Sequence, residues 1–175
     1  MSYKEAVQAA AKQAVARGFE SKRAEWLLLD LLDWSLADYV LKMNDTMTKA
    51  HRAAYQAAAE RMLTGEPIQY ITGFQSFYGE RFKVDARCLI PRPETEEVLL
   101  HFMNQLSNSD SVADIGTGSG IIAVMLKLLK PDLTVYATDL FEGPLEIARA
   151  NAAMHQTDIT SVSYTHLRAH ETRGN

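Results

Sequence analysis

The sequence predicts an α/β protein in two parts, a small N-terminal helical bundle followed by a partial parallel sheet. Three observations carry this reading. Residues 1–65 place apolar side chains at helical spacing between recognisable caps. From Phe74 to Val84, "FQSFYGERFKV", the period changes from 3.6 to two. From Ser111 the pattern runs strand, turn, helix, strand, helix, the alternation of βαβ units.

Each element has a local reason. "SYKE" is a capping box in which Ser2 and Glu5 satisfy amides at a helix start, and Gly18 fits its end. Ser21 is placed to cap a second helix whose apolar set is Trp26, Leu27, Leu28, Leu31 and Leu32. "SLAD" from Ser35 offers another cap, and Thr48 opens the alanine-rich "KAHRAAYQAAAERML", stopped by Gly65 and Pro67. Helices this short are marginal alone and must pack as a bundle. "FQSFYGERFKV" reads as a hairpin turning at Tyr78-Gly79. "LIPRPETEEVLLHFMNQL" confines the chain with two prolines, then enters a helix from about Glu94 to Leu106. "SVADI" is the first buried strand, and Ile121 to Leu129 a helix stopped before Pro131. "LTVYAT" is the second strand, and Pro144 to Met154 the second helix. "DITSVSY" alternates well enough to extend a third strand.

Composition bounds the function. With 175 residues and 47% hydrophobic content the chain buries a real core. The single cysteine, Cys88, excludes an intrachain disulfide and suits a reducing compartment. The start "MSYKEAVQAAAKQ" has no apolar run like a signal peptide, and no stretch is long enough to span a bilayer, so a cytoplasmic protein without membrane contact is expected. Residues 66–160 hold thirteen acidic and seven basic side chains. That balance disfavours nucleic acid phosphates and suits a cationic ligand.

"DIGTGSG" carries the chemistry. Its glycines are Gly116, Gly118 and Gly120, with Asp114 two residues before the first. The dinucleotide fingerprint G-x-G-x-x-G would need glycine at 121, where Ile121 stands. Glycine lacks a Cβ and tolerates positive φ, so such a turn lets backbone approach a ligand closely. Asp139 ends the second strand, where an acidic side chain can accept hydrogen bonds from ribose hydroxyls. The competing structural reading makes the glycines an ordinary tight turn and Asp139 a helix cap. The strand before, the helix after and Asp139 in register weigh against it.

The D-x-G-x-G-x-G spacing resembles the first motif of the class I S-adenosylmethionine-dependent methyltransferases, with a Rossmann-like sheet. "GEPIQYITG" (Gly65 to Gly73) and "LIPRPETE" (Leu89 to Glu96) are more specific. Together with the helical N-terminus and "DIGTGSG", they resemble the release factor glutamine methyltransferases over residues 1 to about 160. The resemblance implies S-adenosyl-L-methionine as cofactor, held around Asp114, Gly116, Thr117, Gly118, Ser119, Gly120 and Asp139. It implies class-one peptide chain release factors as partners, methylated on the side-chain amide of the glutamine in their Gly-Gly-Gln motif. It divides the chain into a release factor-engaging bundle (1–65), a hairpin linker with the PRPETE segment (66–110) and a partial methyltransferase domain (111–161). Arg92 and Glu94 receive no chemical role; Pro91 and Pro93 fix the chain entry and Glu94 favours the helix start.

The family also carries an Asn-Pro-Pro-Tyr motif, whose Asn side chain and a proline carbonyl hold the substrate amide. It does not occur in these 175 residues, so no catalytic residue is assigned and the chain by itself is expected to be inactive. "VSYTHLRAHETRGN" from Val162 looks like translated sequencing adapter, a non-native tail over 162–175. Its His166 and His170 have helical metal-pair spacing without supporting ligands, and no metal is expected. A monomer without direct nucleic acid contact is expected. Two other classes stay open: an adenine amino-methyltransferase, and a non-catalytic module that binds a partner through its bundle. A dinucleotide oxidoreductase is disfavoured by Ile121.

Overall fold

The computed structural model describes residues 1–107 and 109–164. The chain divides into two compact units, Met1–Gly73 and Phe74–Asn175.

The first unit is helical: α1 (Tyr3–Ala16), α2 (Arg23–Leu32), α3 (Leu36–Lys42), α4 (Lys49–Met62) and α5 (Ile68–Thr72). Three of the starts are capped as the sequence suggests. Ser2 Oγ accepts the Glu5 N–H while the Glu5 carboxylate accepts the Ser2 N–H, and Ser35 and Asp38 repeat the exchange at α3. Thr48 Oγ1 accepts the His51 N–H at α4.

The second helix departs from expectation. Lys22, not Ser21, occupies its N-cap without a side-chain bond, because the amides of Arg23 and Ala24 donate to the carbonyls of Glu20 and Ser21. Trp26 is 48% exposed, and the buried stripe is Ala24, Leu27 and Leu28. Helical spacing from Ala24 selects 27, 28 and 31 and turns 26 away. These residues form one core with Tyr3, Val7, Ala14, Tyr55 and Met62. Inside "GEPIQYITG", Pro67 opens the five-residue α5 and Gly73, at φ 80°, ends it in the left-handed region.

In the second unit β1 (Phe74–Phe77) and β2 (Glu80–Lys83) pair antiparallel across Tyr78 (φ 51°) and Gly79 (φ 82°). Two consecutive positive φ values are the mark of a tight hairpin turn with the strands' own twist. The segment expected to link two domains packs within this unit. Phe82 is fully buried with its ring 4.5 Å from that of His155, and the Lys83 N–H donates to Asn151 Oδ1 at 2.7 Å. Helix α6 (Glu94–Met103) stops three residues before Leu106, as Gln105 and Leu106 donate to carbonyls three residues back and tighten the chain out of the helix.

The sheet follows: β3 (Ser111–Ile115), α7 (Ile121–Leu129), β4 (Thr134–Asp139), α8 (Glu142–Met154) and β5 (Thr160–Ser163). Its order is β3-β4-β5, all parallel, with Ile115 opposite Thr138 and Asp139 opposite Ser163. Helices α7 and α8 pack on β4 and on each other. Val112, Val135 and Ala137 are buried, whereas Ala113, Ile115 and Tyr136, the alternate residues of the same strands, are exposed. Of the segment expected to be non-native, Val162 and Ser163 lie in β5 opposite Thr138 and Asp139; His166 and His170 lie outside the described residues.

Candidate functional site

The carboxyl ends of β3 and β4 lie side by side, and the turn from Gly116 to Gly120 folds across them. The N–H groups of Gly116 and Thr117 both donate to the Thr138 carbonyl at 2.8 Å. The Gly118 N–H donates to Asp139 Oδ2 at 3.1 Å, and the Gly120 N–H donates to the Thr117 carbonyl at 2.9 Å. Every residue singled out around the turn therefore comes together in one place, with Asp139 as the link between the two strand ends.

Asp139 is 9% exposed, and its second oxygen accepts the Phe141 N–H at 3.1 Å. Each carboxylate oxygen has two lone pairs, so both retain one acceptor site for a further donor. Asp114 accepts the Thr117 hydroxyl at 2.7 Å. Burial pushes the Asp114 carboxyl above its ordinary range, against the hydrogen bonds from Thr117 and the Ala123 backbone, and the negative charge of Asp139 adds to the rise.

The three glycines do different things. A Cβ placed on Gly116 (φ 75°) or Gly118 (φ 55°) would meet nothing within 4 Å. A Cβ on Gly120 would lie 2.6 Å from Ala148 Cβ. All three carry left-handed backbone; the first two face open space, while α8 also passes against the third and leaves no room for a Cβ.

Two residues the sequence reading passed over hold this region. Asn151 on α8 is fully buried, and its Nδ2 donates to the Ser119 carbonyl at 2.8 Å and the Lys83 carbonyl at 2.9 Å. The available signal was an asparagine among Leu145, Ala148 and Ala152 on a helix's buried stripe. Glu96, inside "LIPRPETE", accepts the Tyr78 N–H at 2.8 Å and so fixes the tip of the hairpin. Nearby, Arg87 bridges Asp85 at 2.7 Å and Glu146 at 2.6 Å, tying the chain after β2 to α8.

Residues 5–73 match the family model described as the PrmC N-terminal domain, and residues 94–174 match the Methyltransferase small domain. A protein of Staphylococcus aureus named release factor glutamine methyltransferase is 52% identical over 159 residues. The chain belongs to the release factor glutamine methyltransferase family. Proteins of the same name from Chlorobaculum tepidum and Neisseria gonorrhoeae are 42% identical over 139 residues and 39% identical over 130. The alignments cover 91%, 75% and 74% of this chain, and 57%, 47% and 48% of those relatives. The chain thus spans about half the length of the family members it matches. Within the family frame, the two matched models meet the two units of the fold, since the first ends at residue 73 and the second lies wholly beyond it.

Proposed function

We propose that the second unit binds S-adenosyl-L-methionine at the Gly116–Gly120 turn. It does so as part of an enzyme that methylates the side-chain amide of the Gly-Gly-Gln glutamine in class-one peptide chain release factors. The observation that carries this reading is the division among the glycines. Gly116 and Gly118 hold left-handed backbone beside open space, next to an acidic side chain on the neighbouring strand end.

The residues fit the cofactor. Gly116 and Gly118 leave room for its methionine part, and Asp139 keeps acceptor sites for its ribose hydroxyls. The carboxylates of Asp114 and Asp139 suit a sulfonium cation. When bound, the cofactor supplies an electrophilic methyl group. The chain's own work is to fix the turn through Thr138, Thr117 and Asp139, so that binding does not first have to order two glycines. The family's Asn-Pro-Pro-Tyr motif, which positions the acceptor amide, does not occur in these residues. An amide nitrogen is a poor nucleophile and depends on being held in line with the methyl group.

The test is in two parts. Calorimetric titration of the 175-residue chain with S-adenosylmethionine should show weak but measurable binding. Methyl transfer from labelled cofactor to a release factor should be undetectable with this chain. It should appear when residues from 161 on are replaced by a family C-terminal half containing Asn-Pro-Pro-Tyr. Labelling of DNA instead of the release factor by the repaired chain would favour an adenine amino-methyltransferase.

A further inference from the structure

Asn151 has no assigned role, yet its carboxamide makes three hydrogen bonds while fully buried. Its partners lie far apart in sequence: Ser119 in the turn and both backbone groups of Lys83 at the end of β2. The peptide joining Ser119 to Gly120 is consequently held at both ends, its carbonyl by Asn151 and its N–H by the Thr117 carbonyl at 2.9 Å. Gly118 and Gly120, at φ 55° and 75°, have no side chains to bias their backbone. Hydrogen bonds must therefore select the conformation from the many that glycine allows. Helix α8 adds two constraints of its own: Ala148 sets how near the helix lies to Gly120, and Asn151, three residues on, sets the orientation of the peptide before it.

We propose that Asn151 is a positioning residue for the cofactor turn, fixing the Ser119–Gly120 peptide plane and coupling it to the β1–β2 hairpin. The hairpin and the turn then form one rigid support, and a change in the hairpin is felt at the turn through a single side chain. The assignment of a cofactor to this turn rests on the function proposed above; the coupling itself does not.

Amide hydrogen exchange on the 175-residue chain separates the two. In the unsubstituted chain the Asn151 carboxamide protons should exchange as slowly as the Leu126 amide in the buried middle of α7, and fast exchange overturns the proposal. Asn151→Asp keeps the acceptor for the Lys83 N–H but points a carboxylate at the Ser119 and Lys83 carbonyls. Lys83 should stay protected while Gly120 exchanges about tenfold faster relative to Leu126. Asn151→Ala should release both. A purely structural role would lower protection at Lys83, Gly120 and Leu126 together, and that result in Asn151→Asp overturns the proposal even if Asn151→Ala does not fold. S-adenosylmethionine affinity should fall about tenfold in Asn151→Asp, the fold-change of a lost positioning contact. Selective loosening of Gly120 in a chain whose unsubstituted form binds no S-adenosylmethionine would uphold the coupling and remove the cofactor reading.

Discussion

Gly120 and Ala148 approach so closely that a methyl group on the glycine would lie 2.6 Å from Ala148 Cβ and 2.8 Å from its Cα. Backbone cannot step aside as the end of a flexible side chain can. Gly120→Ala combines this overlap with a left-handed backbone and should cost about 2–4 kcal/mol in urea unfolding of the second unit. Ala148→Gly in the same chain should recover part of the loss, since it removes the nearer atom of the clash. Gly118→Ala, with nothing within 4 Å, should cost only about 1 kcal/mol, the penalty of a left-handed alanine. Equal losses at the two positions would contradict the division of labour among the glycines.

Tyr55 tests the helical unit independently. Its ring is buried and its hydroxyl donates to the Ala24 carbonyl at 2.8 Å, joining α4 to the start of α2. Burial raises its pKa, so the hydroxyl stays a donor well into alkaline solution. Tyr55→Phe keeps the ring and removes the second donor to a buried helical carbonyl, which should destabilise this unit by about 0.5–1.5 kcal/mol. An unchanged unfolding midpoint would mean that water replaces the hydroxyl there.

Asp114 makes stability depend on pH in an unusual direction for a carboxylate. Its folded-state pKa is raised above the ordinary 3.8, chiefly by burial. Its contribution to stability is thus fully present below the unfolded value and is lost as pH rises through the folded one. Asp114→Asn removes the charge and keeps an oxygen for one of the two donors. The variant should melt at a higher temperature than the parent at pH 7, with the gap closing as pH falls toward 3.8. A gap that widens on acidification, or a variant less stable at neutral pH, would show that the Thr117 and Ala123 bonds outweigh burial.

What was legible in the sequence was decided within a few residues. The Ser2–Glu5 and Ser35–Asp38 boxes, the hairpin turn at Tyr78-Gly79 and the limits of α7 all depend on contacts three or four residues apart or on one residue's backbone freedom. The strand-turn-helix setting of "DIGTGSG" brought Asp114, Gly118 and Asp139 together because adjacent parallel strands end on the same side. The rest depended on distant partners. Trp26 looked like core until the position of the other helices left it exposed. The hairpin read as a linker because its attachments, Glu96 at the tip and Asn151 at the base, are 18 and 68 residues away. Gly120 looked like its two neighbours, and only the passage of α8 distinguishes it.

Asp139 offers the sharpest test of the site, because it has two duties that substitution can separate. Its carboxylate fixes both strand-end loops, accepting from Gly118 on one oxygen and Phe141 on the other. In the proposed function the same oxygens also receive the ribose hydroxyls. Asp139→Ala removes all of these bonds, so both stability and cofactor affinity should fall, the latter by about 1–3 kcal/mol. Asp139→Asn keeps the side chain's shape and one acceptor oxygen, but its amide nitrogen faces one of the two backbone N–H groups, donor against donor. Flipping the amide either way leaves one of the two loops unpaired. The asparagine variant should therefore lose affinity nearly as severely as the alanine variant while keeping more of its stability. Calorimetric titration with S-adenosylmethionine alongside thermal unfolding reads both quantities on the same samples. If both variants lost stability and neither lost affinity, Asp139 would be a loop anchor alone, and the ribose would have to find its acceptor elsewhere in the site.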